Sequence, residues 1–177
     1  MPGNAFIKFE GVKEGESTHA TNKGKDGWIE ISDWSFDIEA DTSYLKGAGA
    51  SVGKPQPGNL SFSHYYDKAS PVIMTKIVQG KHFPKVWIVM LKQVGAVDGQ
   101  GEPYFGVTMD EAFITKVSSK GAEDGTVTQD VEMVFKIVAF GYAPQKETGG
   151  VLDAPVYFGW DIGKMQTEGV KNAELKP

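Results

Sequence analysis

Apolar and polar residues alternate with a period of two along most of the chain, which predicts a mainly β fold. Ala5–Phe9 reads as a first short strand. Gly11 to Lys25, rich in Gly, Ser, Thr and Lys, reads as a polar loop. The next strand, Trp28 to Ile38, changes parity partway. Ile29 and Ile31 occupy odd positions, whereas Trp34, Phe36 and Ile38 occupy even ones. A β-bulge near Ser32–Asp33 lets both sets face inward and bends the strand, as a closing barrel requires. Ser35 and Asp37 must then point away from the core, because side chains alternate along a strand.

Asp41–Asn59 interrupts the pattern with four Gly, two Pro and no periodic apolar face. It reads either as a surface linker or as a functional loop, since long structureless connections inside compact domains are uncommon otherwise. Leu60, Phe62, His64 and Tyr66 then alternate along another strand. At Ser70-Pro71 the period changes to that of a helix. A serine N-cap, proline at the first turn, apolar pairs Ile73/Ile77 and Met74/Val78, and Gly80 as a stop predict one short helix.

Val86–Leu91 is a run of six apolar residues and predicts a strand buried on both faces, at a sheet–helix or subunit contact. Gly95–Pro103 reads as a turn. Phe105, Val107 and Met109 alternate, Phe113–Val117 continues the β pattern, and Lys120–Gly125 turns again. Val131, Met133, Phe135 and Ile137 predict one long strand, and Val156, Phe158, Trp160 and Ile162 a last one. Gln145–Ala154 between them is a polar connection. Residues 1–163 form a single domain on this reading, and 164–177 a polar, frayed tail. A barrel or sandwich with one helix follows.

Composition narrows the chemistry. The chain has 177 residues, 40% hydrophobic and 23% charged, ordinary values for a globular domain able to build its own core. It has no cysteine, which removes thiol catalysis, cysteine-ligated metal and disulfides together. All 18 cationic residues are Lys, and the formal net charge is −5, a poor fit to nucleic-acid recognition. No apolar stretch approaches a membrane span, and the N-terminal residues lack a Sec signal pattern.

His19, His64 and His82 show no metal-binding spacing, and no serine elbow is present. GAGASVGK, around Gly47 and Gly49, has the wrong context for a phosphate loop. The acid pairs Asp110-Glu111 and Glu123-Asp124 read as solvated charges, because strand neighbours face opposite ways. Trp28, Trp34, Trp87 and Trp160 fit core packing, or a sugar-stacking platform. No catalytic residue, cofactor or metal site is expected.

An ordered set of segments resembles a known family. Gly15-Glu16-Ser17 is followed by WIEISDWSF, a Gly-rich break, SFSHYYDKASP, a helix ending in GKHFP at Gly80–Pro84, and VWIVMLKQVG. FKIVAFGYAPQK and YFGWDI follow late in the chain. This order is similar to the haemolysin co-regulated protein (Hcp) family of type VI secretion systems. The resemblance implies a small antiparallel β-barrel with one flanking α-helix, similar to phage tail-tube proteins. It implies homohexameric rings that stack into a secreted hollow tube and carry or chaperone effectors. Partners would be further copies of the chain and the sheath, spike and effector proteins, with no nucleic acid and no membrane insertion. The chain would be made in the bacterial cytoplasm and exported without a signal peptide.

Under the resemblance, Ser35 and Asp37 become lumen candidates. Tyr44, Leu45, Lys46, Val52 and Lys54 become candidates for a loop between rings or subunits. Val86 and Ile88, on the doubly apolar strand, are candidates for the subunit interface. A monomeric β-sandwich that binds carbohydrate or protein is the alternative reading.

Overall fold

Eleven strands and one α-helix make up the computed structural model, which describes residues 4–45, 49–93, 99 and 101–177, without the side chains of 43–52. In chain order the strands are β1 (Ala5–Phe9), β2 (Ile29–Glu30), β3 (Asp33–Ser35), β4 (Ile38–Leu45), β5 (Gly49–Pro57) and β6 (Leu60–Tyr65). After α1 (Ser70–Gln79) come β7 (Phe83–Lys92), β8 (Glu102–Gly121), β9 (Val127–Val134), β10 (Ile137–Tyr142) and β11 (Val156–Asp161). All pairings are antiparallel.

β8 organises the sheet. Its first half pairs with β7 on one side and β10 on the other, and β10 carries β11. Its second half pairs with β9, which carries β6 and then β3. Beyond β7 lie β1 and β2. The hydrogen-bonded path from β2 to β3 is open, so no closed barrel is seen. Its two ends are nevertheless consecutive pieces of one segment. Ile31 N–H donates to Ala5 O (3.0 Å) on the β1 side, and Ser32 N–H to Ser63 O (2.8 Å) on the β6 side. The expected parity change therefore occurs where this segment leaves one partner strand for another. Ile29 and Ile31 are buried and Trp34 and Phe36 half-buried, but Ile38 is exposed, because it already belongs to the next hairpin.

The principal core lies between the sheet halves and α1, around Phe9, Phe62, Phe83, Ile73, Val86, Ile88, Met109 and Met133. A second, smaller cluster joins Phe6, Trp28, Val89 and Leu91 on the other face of β1 and β7. β7 is thus buried on both faces, as its sequence predicts, and both faces are covered by its own chain.

The helix follows its local signals. Pro71 sits in the first turn and Gly80 ends the helix with φ of 64°. Ser70, expected as the N-cap, lies inside the first turn. Its hydroxyl accepts from Asp67 N–H (3.0 Å), and Asp67 Oδ1 accepts from Ala69 N–H (2.9 Å). Ile73 is buried, but Met74 and Val78 face out, so only half of the expected apolar face is used.

Two further expectations need correction. The 41–59 segment is not structureless: β4 and β5 pair from Ile38↔Pro57 to Leu45↔Gly49, an arm separate from the main sheet. Phe113–Val117 continues in β8 as expected, with Phe113 turned outward and Ala112 and Ile114 inward, a change of parity from Val107 and Met109 that follows Glu111 at φ of 51°. The 131–137 stretch divides at Phe135–Lys136, where β9 ends and β10 begins. Most of the Gly95–Pro103 turn lies outside the described residues.

The 164–177 tail is docked, not frayed. It crosses the outer face of β7, β8, β10 and β11. Glu174 N–H donates to Thr108 Oγ1 (3.0 Å), Trp87 Nε1–H donates to Glu174 Oε2 (3.0 Å), and Ala173 is buried. Small residues make room for it. A Cβ on Gly106 would lie 2.8 Å from Leu175 Cδ2, and one on Gly159 would lie 2.7 Å from Val170 Cγ1. Glycine inside a strand often marks such a close approach.

Candidate functional site

Two cross-strand rows follow from the register of β3, β6, β9 and β8. Ser35 faces Ser61, which faces Glu132, which faces Lys116. Asp33 faces Ser63, which faces Asp130, which faces Ser118. Their inward neighbours Phe62, Val131 and Met133 are buried, so alternation turns both rows outward. The result is a hydrophilic face of small hydroxyls and mixed charge. Ser35 and Ser61 hydroxyls bond at 2.8 Å, and Ser63 Oγ–H donates to Asp130 Oδ1 at 2.6 Å. Asp37 is also exposed but lies beyond β3, where its carbonyl accepts Gly58 N–H (2.9 Å) at the foot of the hairpin.

The hairpin holds the loop candidates. Tyr44 and Leu45 close β4, and Val52 and Lys54 lie on β5. Lys54 is exposed. Lys46 and the side chains of Tyr44, Leu45 and Val52 lie outside the described residues.

Val86 and Ile88 do not serve as interface candidates. Both are 0% exposed and belong to the principal core, beside Phe9 and Met109. The apolar surplus of β7 is consumed within the protomer by two clusters instead of one.

A different edge carries uncovered apolar surface. Among the described residues the one strand that β11 pairs with is β10, and Asp161 at its end also bridges to Gln166. Val156 is 63% exposed, Tyr157 44% and Phe158 42%, and Tyr142 beside them is also exposed. A shallow apolar depression of about 200 Å³ continues this surface to Ile38 and Pro55 at the hairpin's foot. At the start of the β8–β9 ladder, Phe113 and Val134 face each other in register and are exposed, with the His82 ring 5.3 Å from Phe113. Alternation located β11, but periodicity does not distinguish a face turned to the core from a face left uncovered.

Polar groups inside the fold are few. His64, buried in β6, faces Gln129 of β9, with His64 Nε2 2.7 Å from Gln129 Oε1. The amide oxygen is an acceptor, so this ring nitrogen carries the proton. His64 Nδ1 and Gln129 Nε2 have no hydrogen-bond partner among the described residues. His19 is buried: its Nδ1 accepts from Thr21 and Asn22 N–H (both 3.2 Å), and its ring packs on Phe6. Among the described residues no cluster of three or more His, Cys, Asp or Glu is arranged for a metal, and no helix is long and apolar enough to cross a membrane.

Asp110 departs from the solvated charge expected of it. It lines a polar cavity of about 290 Å³ beneath the tail, with Thr108, Asp161 and Lys171. Lys85 Nζ lies 3.8 Å from Asp110 and 3.7 Å from Glu174. Burial pushes the Asp110 carboxyl above its usual range, Lys85 opposes this, and Glu174 adds to it. Asp124 behaves as expected of a turn residue, and hydrogen bonds from Thr126 N–H and Oγ1–H hold its carboxyl below the usual range.

Antiparallel sheets with one flanking helix, a polar outward face and an uncovered apolar edge define a mainly β protein with no metal cluster among the described residues. Residues 6–142 match the family described as "Type VI secretion system effector, Hcp". Protein hcp1 of Pseudomonas aeruginosa is 34% identical over 164 residues, covering 92% of this chain and 96% of that one. Hcp1 from Salmonella typhimurium superposes with a TM-score of 0.73 at 27% identity, over 94% of this chain and 99% of that one. A solved type six secretion system protein reaches 0.81 at 23% identity, over 93% and 98%. The chain belongs to the Hcp family of type VI secretion proteins.

Proposed function

We propose that this chain is the repeating subunit of a type VI secretion tube: hexameric rings stack, leave the cell through the secretion machinery and carry effectors in their lumen. The observation that carries the reading is the β11 edge. An edge strand with unpaired backbone groups and exposed Val156, Tyr157 and Phe158 is a liability for an isolated chain and a ready contact for another copy. A ring needs two different complementary surfaces, and Phe113 with Val134 supplies a second apolar patch away from the first. Within the ring the two sheet halves act as a barrel-like wall. The row through Ser35 suits a lumen, since small hydroxyls and balanced charge bind varied cargo weakly. Asp37 lies at the rim of that face, and the β4–β5 hairpin, with Tyr44, Leu45, Lys46, Val52 and Lys54, reaches the adjacent ring. Sheath and spike proteins are the external partners.

Size-exclusion chromatography with light scattering, followed by negative-stain imaging, tests the reading. A mass six times the protomer's and ring-shaped particles are expected. A monodisperse monomer at every concentration, with no rings on the grids, overturns it.

A further inference from the structure

We propose that residues 167–177 are a strap whose docking holds β11 in the shape that ring closure requires, an inference that rests on the ring reading above. Apart from the Asp161–Gln166 bridge at its end, β11 is bonded among the described residues to one strand, β10. Its second attachment is the strap. Val170 packs on Gly159 of β11, and Leu175 lies over Gly106 of β8 and Gly141 of β10, which face each other in register. Glu174 ties the far end to β7 and β8 through Trp87, Thr108 and Lys85. The strap therefore crosses four strands and fixes their mutual positions.

Its link to assembly runs through Tyr157. A Cβ on Gly141 would lie 3.1 Å from the Tyr157 ring and 3.3 Å from Leu175 Cδ2, so strap and ring meet over one glycine. Tyr157 is also part of the uncovered apolar edge. Undocking removes the support behind the contact surface and bares a groove of backbone on the sheet. Ordering a polar segment costs conformational entropy, which the close approach of Val170 and Leu175 to the glycine track and the Glu174 contacts must offset. Such a balance is sensitive to single substitutions.

The test uses full-length protein. Leu175→Asp places a charge where Leu175 meets the glycines. Loss of amide protection in 167–177 is expected, with the concentration for half-assembly raised about tenfold or more, because only docked protomers are competent. If Leu175→Asp unfolds, a reversible lock decides. Gly106→Cys combined with Leu175→Cys, in a chain otherwise free of cysteine, crosslinks the docked strap. Oxidised protein is expected to assemble at a lower concentration than the same protein reduced. Equal assembly of both forms, or of Leu175→Asp with an exposed strap, overturns the inference and leaves the ring reading standing. A wild-type chain that forms no ring at any concentration overturns the ring reading and this inference with it.

Discussion

Gly106 and Gly141 face each other across the β8–β10 ladder, and the Leu175 side chain occupies the space beside both that Cβ atoms would need. Gly106→Ala puts a Cβ 2.8 Å from Leu175 Cδ2 and 3.2 Å from the Glu174 carbonyl oxygen. The side chain can turn aside but the backbone cannot, so the segment must shift. We expect a loss of about 1–3 kcal/mol, the usual cost of overpacking. Hydrogen exchange should locate the loosening in 167–177, with protection of β1 and β7 retained.

Two substitutions separate core from contact surface. Ile88→Ala opens a cavity beside Phe9 and Met109 and should cost about 2–5 kcal/mol in urea unfolding. Val156→Asp alters an exposed edge position and should change protomer stability by no more than about 0.5 kcal/mol. Light scattering should show Val156→Asp reduced to small species. A large stability loss from Val156→Asp would mean that β11 is held differently.

The buried pair His64 and Gln129 predicts non-additivity. Gln129→Met alone leaves the His64 Nε2 donor unpaired in the core, a cost of about 1–3 kcal/mol. His64→Leu alone strands the Gln129 amide in the same way. Combining the two removes both orphaned groups, so the double variant should lose less than the sum of the singles. Urea midpoints of the four proteins give the coupling directly.

The pH dependence follows from Asp110 and Asp67, both pushed above the usual 3.8, mainly by burial. Each binds its proton more tightly folded than unfolded. Their contribution to stability therefore falls as pH rises from the usual value through the raised one, and stays low above it. Asp110→Asn removes one such contribution, while Lys85 keeps Glu174 as a partner. Between pH 7 and pH 4, the urea midpoint of Asp110→Asn should gain less on acidification than that of wild type. Equal slopes would show that Asp110 is more solvated than its surroundings imply.

Features with local causes were legible in the sequence. Pro71 and Gly80 bound the helix, and Ala5–Phe9 carries its strand pattern within its own residues. The parity change between Ile31 and Trp34 was also readable, because no single face accommodates both sets. What depends on distant partners was not. β4 and β5 lack an apolar rhythm because their described residues, 39–42 and 53–57, all face solvent, and only pairing with each other makes them strands. Val86 and Ile88 looked like surplus apolar surface because nothing local reveals that Phe6 and Trp28 cover the opposite face of β7. Val156 and Phe158 looked like core for the converse reason. The docking of the tail was hidden in Gly106, Gly141 and Gly159, whose meaning emerges only once they lie side by side.

β8 runs 20 residues without a break and serves both halves of the sheet. At about 3.3 Å per residue this is a rod of roughly 65 Å along its contour, bent at the shift near Glu111. Sliding one half of the sheet past the other must bend that backbone or shear its hydrogen bonds, since no pliable loop lies at their boundary on this strand. A thrust applied along the strand is carried through covalent bonds from one half to the other. The two halves of the sheet are accordingly expected to move together as one body.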